Sequence, residues 1–195
     1  MEHIVSSRRS MIGIASTGLL SVAAIGILGN APALARTHGR KPGTAAHQGD
    51  IDILNVALGL ELEAIEAYQI GAESGLLQKP VLDVALLFQG HHKGHRDALA
   101  SAITQLGGHP VSPKSRAEYL TSLNIAAIKT QEDVLRLAQA HEKGAANAYI
   151  GVIPSFGSRD LAQVSARIAA DEAAHWALLS STLGESLPKA ALMFG

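Results

Sequence analysis

The chain has 195 residues, of which 47% are hydrophobic and only 4% aromatic, and it contains no cysteine. This length suits one ordinary domain, and the Ala- and Leu-rich composition favours an all-α fold packed through small aliphatic side chains. A formal net charge of −1 argues against a nucleic-acid partner, and the lack of cysteine excludes disulfides and thiolate metal ligands. Any metal site must therefore use His, Glu and Asp.

The first 35 residues are predicted to be a cleaved export signal. Arg8 and Arg9 precede a weakly apolar run from Met11 to Leu28, and the segment ends in Ala33-x-Ala35, a form suited to signal peptidase. The segment resembles a twin-arginine signal, which implies a periplasmic or otherwise exported protein. The alternative is a retained membrane anchor, because the run approaches spanning length. Once the signal is removed, we expect no stable membrane span.

Residues 36–50 are rich in Gly, basic and small polar residues, and they are predicted to form a flexible linker. Asp50 or Asp52 is then expected to cap the first helix of a bundle that spans residues 51–184. The apolar positions of this helix recur at helical spacing, and one position of the same stripe is a glutamate, Glu61. The apolar members are Leu54, Leu58, Ile65 and Tyr68.

The second predicted helix begins around Pro80 and ends before Gly107-Gly108. The two polar members of its inward stripe are His92 and His95. An alternative register uses Gln89 and His92 as the pair, and His91 borders the same face, either as an extra ligand or as a solvated residue. The 22-residue connection that follows is too long for a tight turn and predicts a crossover.

The third helix is predicted over residues 131–153 and the fourth over residues 159–183, followed by a C-terminal tail of residues 185–195. Their inward stripes contain Glu142 in the third helix and Glu172 with His175 in the fourth. The polar residues off the inward stripes are expected to be solvated; these are Glu63, Glu66, His141 and Asp171.

The two halves of the chain match each other. Glu61 and Tyr68 lie seven residues apart, as do Glu142 and Tyr149, at an offset of 81. At an offset of 80 the second helix maps onto the fourth, so that His92 matches Glu172 and His95 matches His175. This pattern predicts an internal duplication of a helical hairpin.

Ionised carboxylates inside an apolar stripe cost several kcal/mol unless cations or donors neutralise them. The arrangement resembles the ferritin-like four-helix bundle family, and most closely its exported bacterial members. In that family two helices each supply one Glu, and the other two each supply a Glu-x-x-His pair. The resemblance covers residues 51–184. It implies an antiparallel four-helix bundle, with a long connection between helices 2 and 3, and these metal ligands: Glu61, His92, His95, Glu142, Glu172 and His175.

Residue 92 departs from the family pattern, which has glutamate where this chain has His92. Three carboxylates do not fully balance two divalent ions, so one ion or a hydroxide-bridged pair is expected. The extra imidazole shifts the preference from Fe toward metals such as Zn, Cu, Ni or Mn.

The predicted function is therefore that of a metal-binding ferritin-like protein. Its more specific role is predicted to be that of a metal-dependent oxidase or an iron-handling protein. The competing hypothesis is a metal-free structural or stress-related envelope protein that acts by association. The predicted partners are metal ions, and a homo-oligomer is compatible with the sequence. No phosphate-binding loop, His-Glu-x-x-His run or Gly-x-Ser-x-Gly elbow is present in the 195 residues.

Overall fold

The computed structural model describes residues 44–195, and side chains from residue 47 onward. Within this part of the chain there are five α-helices and no strand: α1 (Thr44–Glu73), α2 (Lys79–Gln105), α3 (Arg116–Ser122), α4 (Gln131–Val152) and α5 (Arg159–Thr182). The predicted export signal of residues 1–35 lies outside the described residues. None of the helices in the described part is long and apolar enough to cross a membrane.

The four long helices form the predicted bundle. Helix α1 packs along α2 and helix α4 along α5, each pair joined by a short connection, and α1 also contacts α4. Aliphatic side chains from all four helices form one central cluster, which includes Leu54, Leu58, Leu99, Ala145 and Ile168. Burying one large side chain of this kind contributes about 1.5–3 kcal/mol. The predicted all-α class and four-helix architecture are confirmed.

Helix α1 begins earlier than predicted, because residues 44–50 are already helical. The predicted linker of residues 36–50 is therefore wrong over its last seven positions, where Ala45, Ala46 and Gln48 are good helix formers. Asp50 does not cap this helix. It is buried, and its Oδ1 accepts a hydrogen bond from the backbone N–H of Gly157, 2.8 Å away, just before α5.

The long connection between α2 and α4 has a structure of its own. It leaves α2 through Gly107, whose φ of 82° favours glycine, and then forms α3 with a capping box between Ser115 and Glu118. Tyr119 and Leu123 of this segment are buried against a patch formed by Ile70 of α1 and Leu137 of α4. The crossover therefore covers the outer face of the contact between α1 and α4.

The C-terminal tail returns to the bundle. Phe194 packs edge-to-face on Trp176 of α5, with ring centroids 5.2 Å apart, and the backbone N–H of Gly195 donates to Asn147 Oδ1 at 2.9 Å. Glu185 accepts hydrogen bonds from Arg136 and Gln139 of α4. Residues 185–195 thus contact both helices of the second pair.

Candidate metal centre

The six residues predicted to bind metal converge in the middle of the bundle. Glu61 comes from α1, Glu142 from α4, and each of α2 and α5 supplies an i, i+3 pair, because residues at that spacing share one helix face. All six are buried, and the Glu142 and Glu172 side chains are 0% exposed. The helices thus bring together Glu61, His92, His95, Glu142, Glu172 and His175.

His92 lies between the two single glutamates. Its Nδ1 is 2.8 Å from Glu61 Oε2 and its Nε2 is 3.2 Å from Glu142 Oε1, so one imidazole contacts a carboxylate on each side. Glu172 Oε1 is 3.7 Å from the same Nδ1. Residue 92 therefore lies at the centre of the cluster, which agrees with its match to Glu172 at an offset of 80.

Glu172 lies between the other two histidines without a hydrogen bond. Its Oε1 is 3.1 Å from His95 Nδ1 and its Oε2 is 3.5 Å from His175 Nδ1, but neither pair is aligned for hydrogen bonding. Both oxygens of this fully buried carboxylate consequently have no hydrogen-bond partner among the described residues. Such a group is costly to bury unless a cation satisfies it.

Two tyrosines hold the single glutamates in reciprocal fashion. Tyr68 of α1 donates a short hydrogen bond to Glu142 of α4, and Tyr149 of α4 donates one to Glu61 of α1. Each hydroxyl donates to Oε1 of its partner, while Oε2 of Glu61 contacts His92 and Oε2 of Glu142 contacts His175. Oε1 of Glu142 also contacts His92. Both tyrosines are buried in the core, and each donates one hydrogen bond to a glutamate of the other helical pair.

The outer nitrogens of two histidines contact polar residues at the edge of the cluster. His95 Nε2 lies 3.1 Å from Asp171 Oδ2, and His175 Nε2 lies 2.9 Å from His91 Nδ1. Residues 91 and 171 are themselves 80 apart, so they occupy equivalent positions in the two halves. The offset of 80 therefore pairs residue 171 with residue 91, but the helical pattern predicts a solvated Asp171 because this position lies off the inward stripe. That carboxylate is 60% exposed and nevertheless faces a ring nitrogen.

The acidic and histidine side chains of the cluster shift one another's pKa values. Burial alone would raise the pKa of Glu61, but the hydrogen bond with His92 and the nearby His95 imidazole lower it to about 2. Burial opposes the charging of His95, and yet Glu172 and Glu61 beside it raise its pKa to about 10. Burial and the neighbouring Glu142 raise the pKa of Glu172. Without a metal, protonated imidazoles are therefore the cations that balance the carboxylates.

Two other polar residues, Gln89 and His141, have surroundings that differ from one interpretation of the sequence. Gln89 is buried but faces away from the cluster, because its Nε2 donates to Ile65 O and to Gln69 Oε1. The register that pairs Gln89 with His92 is therefore not the one that the fold brings to the centre. His141 was predicted to be solvated, and this was wrong: it is 4% exposed, and α3 and the segment after it cover this side of the bundle.

The donors that meet here fit a metal ion. One group comprises Glu61, His92, His95 and Glu172, and a second comprises His92, Glu142, Glu172 and His175; within each group one ligand atom per residue lies within 4.8 Å of the others. The groups share His92 and Glu172. Imidazole and carboxylate donors suit Fe, Zn, Cu or Mn, whereas a site of oxygen atoms alone suits Mg or Ca.

Comparison with known proteins gives a consistent result. A family model described as a ferritin-like domain matches residues 49–185. A conserved hypothetical protein from Mycobacterium tuberculosis is 20% identical, with a TM-score of 0.64 over 75% of this chain and 99% of that chain. A dodecameric thioferritin, the bacterioferritin-related protein from Bacteroides fragilis, is 19% identical, with a TM-score of 0.59 over 84% of this chain and 94% of that chain. No curated protein matches the sequence significantly. At these identities the structural likeness shows the fold alone.

Proposed function

The chain belongs to the ferritin-like domain family, and from this premise we propose that it is an exported protein that binds one or two divalent metal ions at the centre of its bundle. The ligands that we propose are those that the fold brings together: Glu61, His92, His95, Glu142, Glu172 and His175. The finer role that we propose is the oxidation of a bound metal or of a small substrate, or the handling of iron.

The observation that carries this proposal is the carboxylate of Glu172. It is 0% exposed, it lies between His95 and His175, and neither of its oxygens has a hydrogen-bond partner in the described part of the chain. A divalent ion shared with the two histidines would satisfy both oxygens at once. The other polar atoms of the cluster, apart from His95 Nδ1, already have partners within the protein.

The remaining residues would orient the ligands. Tyr68 and Tyr149 fix the two single glutamates, so that each presents its second oxygen to the centre. Asp171 and His91 contact the outer nitrogens of His95 and His175, which fixes the ring orientation and directs Nδ1 inward. Residue 171 contributes a carboxylate and residue 91 a second imidazole, so the imidazole next to Asp171 would be the more basic ligand. A bound redox-active ion would supply Lewis acidity and electron transfer toward O2 or peroxide.

The location and the assembly state belong to the same proposal. The twin arginines and Ala33-x-Ala35 support export, and a protein exported in the folded state could carry its metal with it. The dodecameric state of the thioferritin supports a homo-oligomer for this chain. The reciprocal contacts of residues 80 or 81 apart support an internal duplication.

One observation favours a second candidate, a metal-free structural protein. His92 contacts both single glutamates, and its hydrogen bonds to these carboxylates raise its pKa well above the usual value against the effect of burial. Three protonated histidines would balance three carboxylates. This network accounts for Glu61 and Glu142, but it leaves both oxygens of Glu172 unpaired.

Elemental analysis separates the two candidates. The full chain is purified after export in a bacterial host and incubated separately with Fe2+, Mn2+, Zn2+ and Cu2+ before gel filtration. We expect about one to two ions per chain, and none in Glu142→Ala, whose folding is checked by circular dichroism. Glu132→Ala, in the exposed first turn of the same helix, serves as the control and should bind as the wild type does. The absence of bound metal under every loading condition would establish the metal-free network instead.

A further inference from the structure

A second site lies at one end of the bundle, outside the metal centre. Where α1 ends and α2 begins, the four long helices and the segment after α3 enclose a cavity of about 510 Å3. Its walls are mainly aliphatic, and include Val81, Val84, Leu135 and Leu137. A volume of this size and an apolar lining are typical of sites for small organic ligands.

One polar side chain in this wall has no partner. His141 lines the cavity, is 4% exposed, and neither of its ring nitrogens has a hydrogen-bond partner within the described residues. The nearest carboxylate oxygen, Glu63 Oε1, is 3.7 Å from its Nε2, which is too long for a hydrogen bond. Because leaving a buried donor and acceptor unpaired is costly, this imidazole indicates a ligand group that enters the cavity and pairs with it.

The cavity and the metal centre share a wall but are separate spaces. Tyr68 and Phe88 line the cavity, while on their other sides the Tyr68 hydroxyl donates to Glu142 and the Phe88 ring stacks on His175 at 3.9 Å between centroids. Leu178 of α5, also in the lining, is 46% exposed and marks a route from solvent. A ligand could therefore enter without displacing any of the six clustered residues.

We propose that this cavity binds a small apolar molecule that carries a hydroxyl group, with the hydroxyl paired to His141. A neutral imidazole presents one donor and one acceptor, and a hydroxyl group offers the complementary pair. The apolar body of the ligand would lie against the aliphatic wall. This inference goes beyond the proposed function and does not depend on a bound metal.

Calorimetric titration of the full chain with 1-decanol, in the presence of a metal chelator, tests the cavity. We expect one molecule per chain, and at least tenfold weaker binding to Ala85→Phe, because the added ring fills space that Ala85 leaves open in the lining. Ala98→Phe places the same side chain on an exposed face of the same helix and should bind as the wild type does. Equal affinities of the two variants would overturn the proposal.

The role of His141 is tested by comparing 1-decanol with decane. In the wild type the alcohol should bind more tightly, and in His141→Leu this preference should fall about five- to tenfold, because one buried hydrogen bond is lost while the volume is nearly kept. A preference that His141→Leu leaves unchanged would contradict the pairing. So would tighter binding of decanoate than of decanol, since it would indicate an anionic head group.

Light scattering measures whether Ala85→Phe changes the oligomeric state. If the state changes, and if the wild type does not bind decanol, another chain occupies the cavity. That result would also overturn the proposal. None of these outcomes bears on metal stoichiometry, so failure of the cavity and failure of the metal centre are distinguishable.

Discussion

At the scale of single residues, His92 is the position at which this chain differs most from the pattern it resembles. It contacts Glu61 and Glu142 through its two ring nitrogens, and both candidate ligand groups contain it. A carboxylate in its place would add a negative charge where the positive charge of two ions is incompletely balanced. We therefore expect the identity of this one side chain to affect how many ions the proposed centre holds.

We expect His92→Glu to raise iron occupancy from about one toward about two ions per chain, because a fourth carboxylate balances the second divalent ion. Iron is measured by elemental analysis after anaerobic loading with Fe2+. Ala98→Glu is the matched control, since residue 98 is exposed on the same helix and belongs to neither ligand group. Unchanged stoichiometry in His92→Glu would mean that residue 92 does not face the ions.

The six central residues could be predicted because each one interrupts an apolar stripe, and burial of a charge in such a stripe demands a partner. The contacts of Asp171 and the burial of His141 could not be predicted in the same way. Asp171 is mostly exposed and reaches His95 from the edge of α5. His141 is buried on a side of α4 that the segment around Tyr119 and Leu123 covers, and periodicity within one helix contains no information about such a cover.

At the scale of elements, the start of α1 and the start of α5 are connected by one side chain. Asp50 is 3% exposed, and its Oδ1 accepts from the backbone N–H of Gly157. The sequence favoured Asp50 or Asp52 as the helix cap, because Asp is common at that position. The helix extends back to Thr44 instead, so the carboxylate stabilises the connection before another helix, 107 residues along the chain.

Asp50→Ala is expected to lower the free energy of unfolding by about 1.5–3 kcal/mol, because it removes a buried hydrogen bond to a charged acceptor. Asp52→Ala, two residues along the same helix, is the control: Asp52 is exposed and accepts only from Gln48, so its loss should change stability by less than about 0.5 kcal/mol. Urea denaturation followed by circular dichroism measures both. Equal effects would show that the contact with Gly157 does not stabilise the fold.

At the scale of the whole molecule, the fold class was predictable and the cavity was not. Four apolar stripes of helical period and one long connection determine a bundle with a crossover. Helices α2, α4 and α5 begin and end within one or two residues of the predicted positions. The cavity arises where several elements meet, from Leu76 and Pro80 to Ile128 and Leu178. Its volume depends on how these segments pack together, which no single stripe specifies.

Metal binding should also appear in the stability of the whole molecule. At a free metal concentration one hundred times the Kd, the native state gains about 2.7 kcal/mol, or roughly 6–10 °C in Tm for a chain of this size. We expect Glu172→Gln to lose this gain while its metal-free Tm stays close to that of the wild type, because the amide keeps the volume of the side chain and removes a buried carboxylate that has no hydrogen-bond partner among the described residues.

Scanning calorimetry with and without metal measures this shift. Glu132→Gln, exposed in the first turn of α4, should keep the full metal-dependent gain. An equal gain in Glu172→Gln and the wild type would show that the metal binds elsewhere.

The reciprocal tyrosine contacts affect how the polypeptide acquires its structure. Tyr68 donates to a glutamate of the second helical pair and Tyr149 to one of the first. In an isolated half, a histidine of the same pair could still contact Oε2 of the glutamate, but Oε1 would lose its tyrosine donor. The complete set of contacts around the two glutamates therefore forms only when the two halves, held near each other by the crossover, come together.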